Sequence, residues 1–272
     1  MHTVVSKDGT KIAYDRYGDG PPIILIIGAL GQRKLKQLGQ LAELLAGTFT
    51  VVNYDRRGRG DSGDTQPYAL QREIEDLAAL IDAVGGSASL WGWSSGGALA
   101  LRAAAAGIGV ERVAVYEPPF IVDREGHVPP PGYEARLRQL LAADRRADAV
   151  RLFMRGAIGL PAPFVALMRL MPMWRQLKST AHTLPYDWAC MGDTVAGDPL
   201  REEEWAGVTV PALVAYGSKS PARLKNGSRA LAEVLPNARL RELAGQTHNV
   251  SMKVLAPELA SFLAAERAHA LA

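Results

Sequence analysis

Several short runs of this chain are apolar at nearly every position, where a half-exposed strand would alternate. They are "PPIILIIG" (Pro21–Gly28), "FTVVNYD" (Phe49–Asp55) and "SASLWGW" (Ser87–Trp93). Runs apolar on both faces are expected of central strands in a parallel sheet covered by helices. Between them the apolar period lengthens to that of a helix, over Lys34–Leu45 and Tyr68–Val84. The second of these places Leu70, Ile74, Leu77, Ala78 and Ile81 on one stripe. Further along, Ser95–Ala106 reads as an Ala-rich helix, and Glu111–Tyr116 and Val210–Tyr216 as strands. Pro221–Leu235 reads as helix, Ala238–Leu243 as strand and Leu255–Ala268 as a closing helix. Near the N-terminus, Thr3–Val5 and Lys11–Tyr17 flank the turn signal Lys7-Asp-Gly9, which predicts a hairpin. Strand–helix alternation of this kind predicts an α/β fold with a doubly wound, mostly parallel sheet.

One stretch breaks the rhythm. From about Phe120 to Gly207 there is no strand pattern, only a Pro-rich segment, "HVPPPGY" (His127–Tyr133), and helical pieces rich in Leu, Met and Arg. The expected organisation is a core formed by residues 1–119 and 208–272, with a helical cap over 120–207. Caps of this kind usually shape a substrate pocket. The alternative is that these helices only pack on the core.

Composition narrows the function classes. With 272 residues, 48% hydrophobic and 22% charged, the chain can bury one large domain or a domain with an insertion. A net charge of +3 without long basic runs does not fit a nucleic-acid partner. The lone Cys190 rules out an intramolecular disulfide and is expected in the core of a protein from a reducing compartment. The N-terminal segment lacks a secretory h-region, and the longest apolar run, Ile23–Leu30, falls well short of the roughly 20 residues of a membrane span. A cytoplasmic location without a membrane partner is the expectation. No His/Cys/Asp cluster has ligand spacing, so neither a metal nor a cofactor is implied. Oligomeric state is not readable.

The segment that carries chemistry is Gly92-Trp-Ser-Ser-Gly96. It follows an apolar strand and opens a helix, the context in which Gly-x-Ser-x-Gly forms a tight turn projecting a nucleophilic hydroxyl. Residues two before and two after the serine must be small, which Gly92 and Gly96 satisfy. A helix N-terminus there also favours negative charge on a substrate oxygen. At these residues the chain resembles the α/β-hydrolase superfamily, over roughly residues 1–120 and 208–265. "YDRRGRGDS" (Tyr54–Ser62) resembles that family too, and its three arginines are expected in a solvated, constrained loop. Serine at position 94 sets aside the dehalogenase and epoxide-hydrolase branches, for which the resemblance implies Asp.

The resemblance assigns the base. Of five histidines, His248 in "LAGQTHNV" (Leu243–Val250) lies past the last strand and before the final helix, where the family keeps it. His2 and His269 lie at the chain ends, His127 in the Pro-rich loop and His182 in the cap. By the same resemblance the oxyanion donors are the backbone N–H groups of Ser95 and Ala29, although Ile27 replaces the family's usual His. The family's common acid position follows the strand ending at Tyr216, and there the sequence is "VAYGSKSP" (Val214–Pro221), with no carboxylate. Glu117 in "VAVYEPPF" (Val113–Phe120) instead stands at a strand's C-terminal edge, 23 residues beyond the serine, where open α/β sheets hold their active sites. That arrangement resembles a smaller branch, the zearalenone lactonases among them, in which Glu at this strand end completes the triad. Asp123, Asp193 and Asp198 are the substitutes. Trp93, Leu30, Phe164, Met168, Trp174 and Trp188 are the expected substrate contacts. Leu160, Leu167, Met171 and Met173 extend this apolar set over a pocket roof.

The function expected is a serine hydrolase of a small carboxylic ester or lactone, apolar in character, working through an acyl-enzyme. C–C bond hydrolysis or acyl transfer on the same triad, or a ligand-binding protein on a hydrolase fold, are the alternatives.

Overall fold

The computed structural model describes residues 1–124 and 126–264. Eight strands form one sheet: β1 (His2–Val5), β2 (Lys11–Tyr17), β3 (Pro22–Ile26), β4 (Thr50–Tyr54), β5 (Ala88–Trp93), β6 (Val110–Tyr116), β7 (Ala212–Gly217) and β8 (Ala238–Leu243). Their spatial order is β1-β2-β4-β3-β5-β6-β7-β8. The hairpin strands β1 and β2 pair antiparallel, β2 joins β4 antiparallel, and the remaining pairs are parallel.

Core helices cover both faces: α1 (Lys36–Leu45), α2 (Leu70–Asp82) and α3 (Ser95–Ala105) follow β3, β4 and β5. The uniformly apolar strands are explained by this arrangement. In β3, Ile24 and Ile26 enter the core layer beneath α2 and α3, while Ile23 and Leu25 enter the layer beneath α1, and none is exposed. Burial of each such side chain contributes about 1.5–3 kcal/mol. At the far edge β8 has mostly exposed positions, as an edge strand does.

Between β6 and β7 the described residues contain only helical elements: α4 (Tyr133–Ala142), α5 (Arg146–Leu152) running into a π-helical turn (Phe153–Ala157), α6 (Ala162–Met168), α7 (Met173–Ser179), α8 (Leu184–Met191) and α9 (Glu202–Trp205). They have their own apolar cluster, in which Tyr133, Leu137, Val150, Val165, Trp174 and Leu177 pack together. The chain closes with α10 (Ala222–Val234), β8 and α11 (Met252–Ala264). The last helix starts at Met252, three residues before the sequence pattern predicts. Residues 265–268 of that prediction, and His269, lie outside the described residues. No described helix is long and apolar enough to cross a membrane. Cys190 is buried, as expected.

The strand order brings the carboxyl ends of β3, β5, β6 and β7 side by side. Register then decides which residues meet: Ile26 pairs with Gly92, Trp93 with Tyr116, and Tyr116 with Ala215. Ser94 and Glu117 each stand one residue past a paired position on adjacent strands.

Candidate active site

Ser94 has φ 58° and ψ −132°, a backbone conformation rare for a residue with a Cβ. The turn is held by its N–H donating to the Tyr116 carbonyl and by the Gly97 N–H donating to the Ser94 carbonyl. A Cβ at Gly96 would lie 2.2 Å from the Ile26 carbonyl oxygen, and one at Gly92 2.4 Å from that of Gly96. Both positions therefore exclude any side chain. Among the described non-glycine residues only Leu30, Ser94, Glu117 and Asp144 have positive φ. Ser94 and Glu117 directly follow β5 and β6 and Leu30 lies in the loop after β3, so backbone strain is concentrated at this edge of the sheet, as it is at functional sites.

Glu117 is fully buried. Its Oε2 lies 2.7 Å from His248 Nδ1, and its Oε1 accepts the Gly217 N–H at 2.7 Å. The last residue of β7, at the edge of the acid-free loop, thus supplies the backbone donor that holds the carboxylate following β6. His248 is further fixed by Trp93 Nε1, which donates to its carbonyl, while the Tyr116 hydroxyl donates to the carbonyl of Thr247. Asp123 accepts from Asn226 and Asp198 pairs with Arg124; Asp193 lies in a 3-10 turn. His127 bonds the Gly156 carbonyl, and His182 lies beside Asp64.

Ser94, Ser95, Ala29 and His248 line one cavity of about 520 Å³ beneath the helical segment, a usual size for a small-molecule site. Its roof is formed by Tyr133, Phe153, Ile158, Leu160, Leu184 and Trp188. Of the expected substrate contacts only Trp188 lies in this lining, together with Leu160 of the roof set. Phe164 is 53% exposed, and Leu167, Met171 and Met173 also face solvent. Met168, Trp174 and Leu30 are buried in the apolar cluster of the helical segment, and Trp93 supports His248 from outside the cavity. For the residues of α6 and α7 the reason is geometric: these helices are each about two turns long, and each spends its inner face on the apolar cluster between β6 and β7.

The arginines of "YDRRGRGDS" overturn their expectation. Arg56, Arg57 and Arg59 are all buried. Arg57 forms a fork with Asp76 and reaches Asp8. Arg56 forks onto Glu73 and donates to Asp187 at 2.6 Å, and Arg59 donates to the other oxygen of Asp187 at 2.7 Å. These carboxylates come from α2, the hairpin turn and α8, all distant in sequence, so local charge patterning could not reveal them. Burial alone would raise the Asp187 carboxyl, but Arg59 and Arg56 together hold it below the ordinary carboxylate range. Asp187 was missed by sequence reasoning; its signal is a single acid within the apolar stretch "LPYDWACM". Arg56→Leu leaves Glu73 and Asp187 buried without this partner and is expected to cost about 3–5 kcal/mol. A urea unfolding curve checks this through a lower midpoint at constant slope.

An α/β sheet with a strained strand–serine–helix turn at its carboxyl edge, whose serine lines one cavity with a histidine held by a buried carboxylate, is the architecture of a hydrolase. The chain belongs to the alpha/beta hydrolase family, whose sequence model matches residues 33–258. It is 50% identical to an alpha/beta hydrolase from Sphaerobacter thermophilus, over 96% of this chain and 100% of that one, with a TM-score of 0.88. An enol-lactonase from Burkholderia xenovorans shares the fold at 24% identity over 96% and 99% of the two chains, with a TM-score of 0.64. Serine hydrolase BPHL of Mus musculus is 37% identical over 107 residues; the match spans 37% of this chain and 37% of that relative.

Proposed function

We propose that this chain is a serine hydrolase of carboxylic esters or lactones, with Ser94 as nucleophile, His248 as base and Glu117 as the acid. The observation that carries the reading is the 2.7 Å contact between His248 Nδ1 and the buried Glu117, with Ser94 and His248 lining the same cavity. In this mechanism the Nδ1–H donates to Glu117, which leaves Nε2 free to take the Ser94 proton as Oγ attacks the substrate carbonyl. The backbone N–H groups of Ala29 and Ser95 stabilise the oxyanion. His248 then protonates the leaving alkoxide, and water, deprotonated by the same imidazole, releases the acid from Ser94. The acid's place after β6 supports the resemblance to the zearalenone-lactonase branch. The mainly apolar roof favours an apolar acyl or lactone group over a highly charged one.

A fluorophosphonate probe tests the assignment, because only an activated serine reacts readily. Labelling is expected on the peptide containing Ser94 and is lost in Ser94→Ala; no labelling of the folded protein would sink the proposal. A panel of p-nitrophenyl esters and lactones of graded size then identifies the substrate range.

A further inference from the structure

The carboxylate of Asp187 lies on α8, yet its partners are Ser95, at the start of α3, and two arginines of the loop after β4, which in turn brace the loop after β3. Its Oδ1 accepts the Ser95 hydroxyl at 2.9 Å and Arg56 Nη1 at 2.6 Å, and its Oδ2 accepts Arg59 Nη2 at 2.7 Å. Arg59 Nη1 in turn donates to the Gly28 carbonyl at 2.6 Å, and Arg56 Nη1 to the Ile27 carbonyl at 3.2 Å. The Gly28 carbonyl and the Ala29 N–H belong to one planar trans peptide, so fixing the first fixes the direction of the second. A charged donor on that carbonyl also polarises the N–H at the other end of the peptide. Ser95, the other donor residue, is held by its own hydroxyl. Because Asp187 is held in its ionised form between two guanidinium groups, the Ser95 hydroxyl must donate to it and is not free to serve the substrate.

We propose that Asp187 is a positioning residue that, from the cap, aims both arms of the oxyanion hole, one through Ser95 and the other through Arg59. This rests on Ser94 being the nucleophile. It makes the cap part of the catalytic apparatus as well as a pocket roof: Trp188, the next residue on α8, lines the cavity, so substrate contact and oxyanion geometry share one turn of helix. The four buried groups Arg56, Arg59, Glu73 and Asp187 are two cations and two anions. Replacing Asp187 by neutral Asn therefore leaves net positive charge near the developing oxyanion. A purely electrostatic influence would speed the reaction; loss of positioning slows it.

The test uses Asp187→Asn and Ser95→Ala in the full chain, with kcat and KM on a p-nitrophenyl ester and the inhibition constant of an arylboronic acid, whose tetrahedral adduct places an oxygen in the hole. For Asp187→Asn, kcat is expected to fall about tenfold to a hundredfold, with KM within about twofold and boronate inhibition weakened in step with kcat. Ser95→Ala, which keeps the N–H and leaves the fold's main supports in place, is expected to lose about threefold to tenfold in kcat. Combined, the two losses should be less than multiplicative, because they sever the same arm. A folded Asp187→Asn protein with kcat at or above wild type, or with its loss confined to KM, overturns the proposal. If that variant does not fold, an unchanged kcat in Ser95→Ala overturns it. Ester turnover that survives Ser94→Ala instead refutes the serine-hydrolase reading beneath it, whereas Ser94-dependent turnover that ignores both variants refutes only the role of Asp187.

Discussion

Ser94→Ala is expected to lower p-nitrophenyl ester hydrolysis by about 10⁴-fold or more while leaving the thermal midpoint nearly unchanged. In the proposed mechanism no other group in the cavity can form the acyl-enzyme, so what remains is the contribution of binding and the oxyanion donors. Stability is spared because the hydroxyl faces the cavity and has no hydrogen bond that holds the turn; that turn is held by main-chain contacts of residues 94 and 97. His248→Ala should match this loss, since it removes the proton acceptor. His127→Ala and His182→Ala should stay within about threefold, because each imidazole is held by other groups: His127, although it lines the cavity, by the Gly156 carbonyl, and His182 by Asp64. Steady-state kinetics with circular dichroism as the folding control checks the set. Hydrolysis at wild-type rate by folded Ser94→Ala would remove the serine from the reaction.

Glu117→Gln is the second large effect. The amide keeps the shape of the carboxylate, and its oxygen can still accept the Gly217 N–H. Its NH₂ group must then face His248 Nδ1, which forces the imidazole proton onto Nε2, where the base needs a lone pair. The change also removes the negative charge that stabilises imidazolium. In a Ser-His-Asp triad the analogous substitution costs about ten-thousandfold in turnover, and a loss of at least about a hundredfold is expected here. KM should move little, because Glu117 is not in the cavity lining. Asp123→Asn, Asp193→Asn and Asp198→Asn should leave kcat within about threefold, since each sits among other partners or in a separate turn. Near-normal turnover in Glu117→Gln would mean that His248 works as a dyad with Ser94 or takes its support from another group.

The organisation of the sheet was readable from the chain alone. A strand covered on both faces needs apolar side chains at consecutive positions, and a helix covered on one needs them at helical spacing; both demands are met within a few residues. The same holds for the turn at Ser94, where Gly92 and Gly96 are required by main-chain atoms only two or three residues from the serine or at the end of the neighbouring strand. Even the placement of Glu117 at a strand end follows from local pattern. What the chain could not show is which distant groups meet. The contact between Glu117 and His248 spans 131 residues and depends on the register of β6 against β7. The carboxylate partners that let Arg56 and Arg59 lie buried come from α2 and α8, so a stretch that reads as a solvated loop becomes the brace of the oxyanion loop. Of the expected roof, Leu160 and Trp188 line the cavity and the residues of α6 and α7 do not, for the same reason: composition identifies an apolar helix, but its tertiary neighbours decide which face meets the cavity. Periodicity is local physics and is written in the sequence, whereas charge pairing and pocket lining are products of packing and appear only once the elements are assembled.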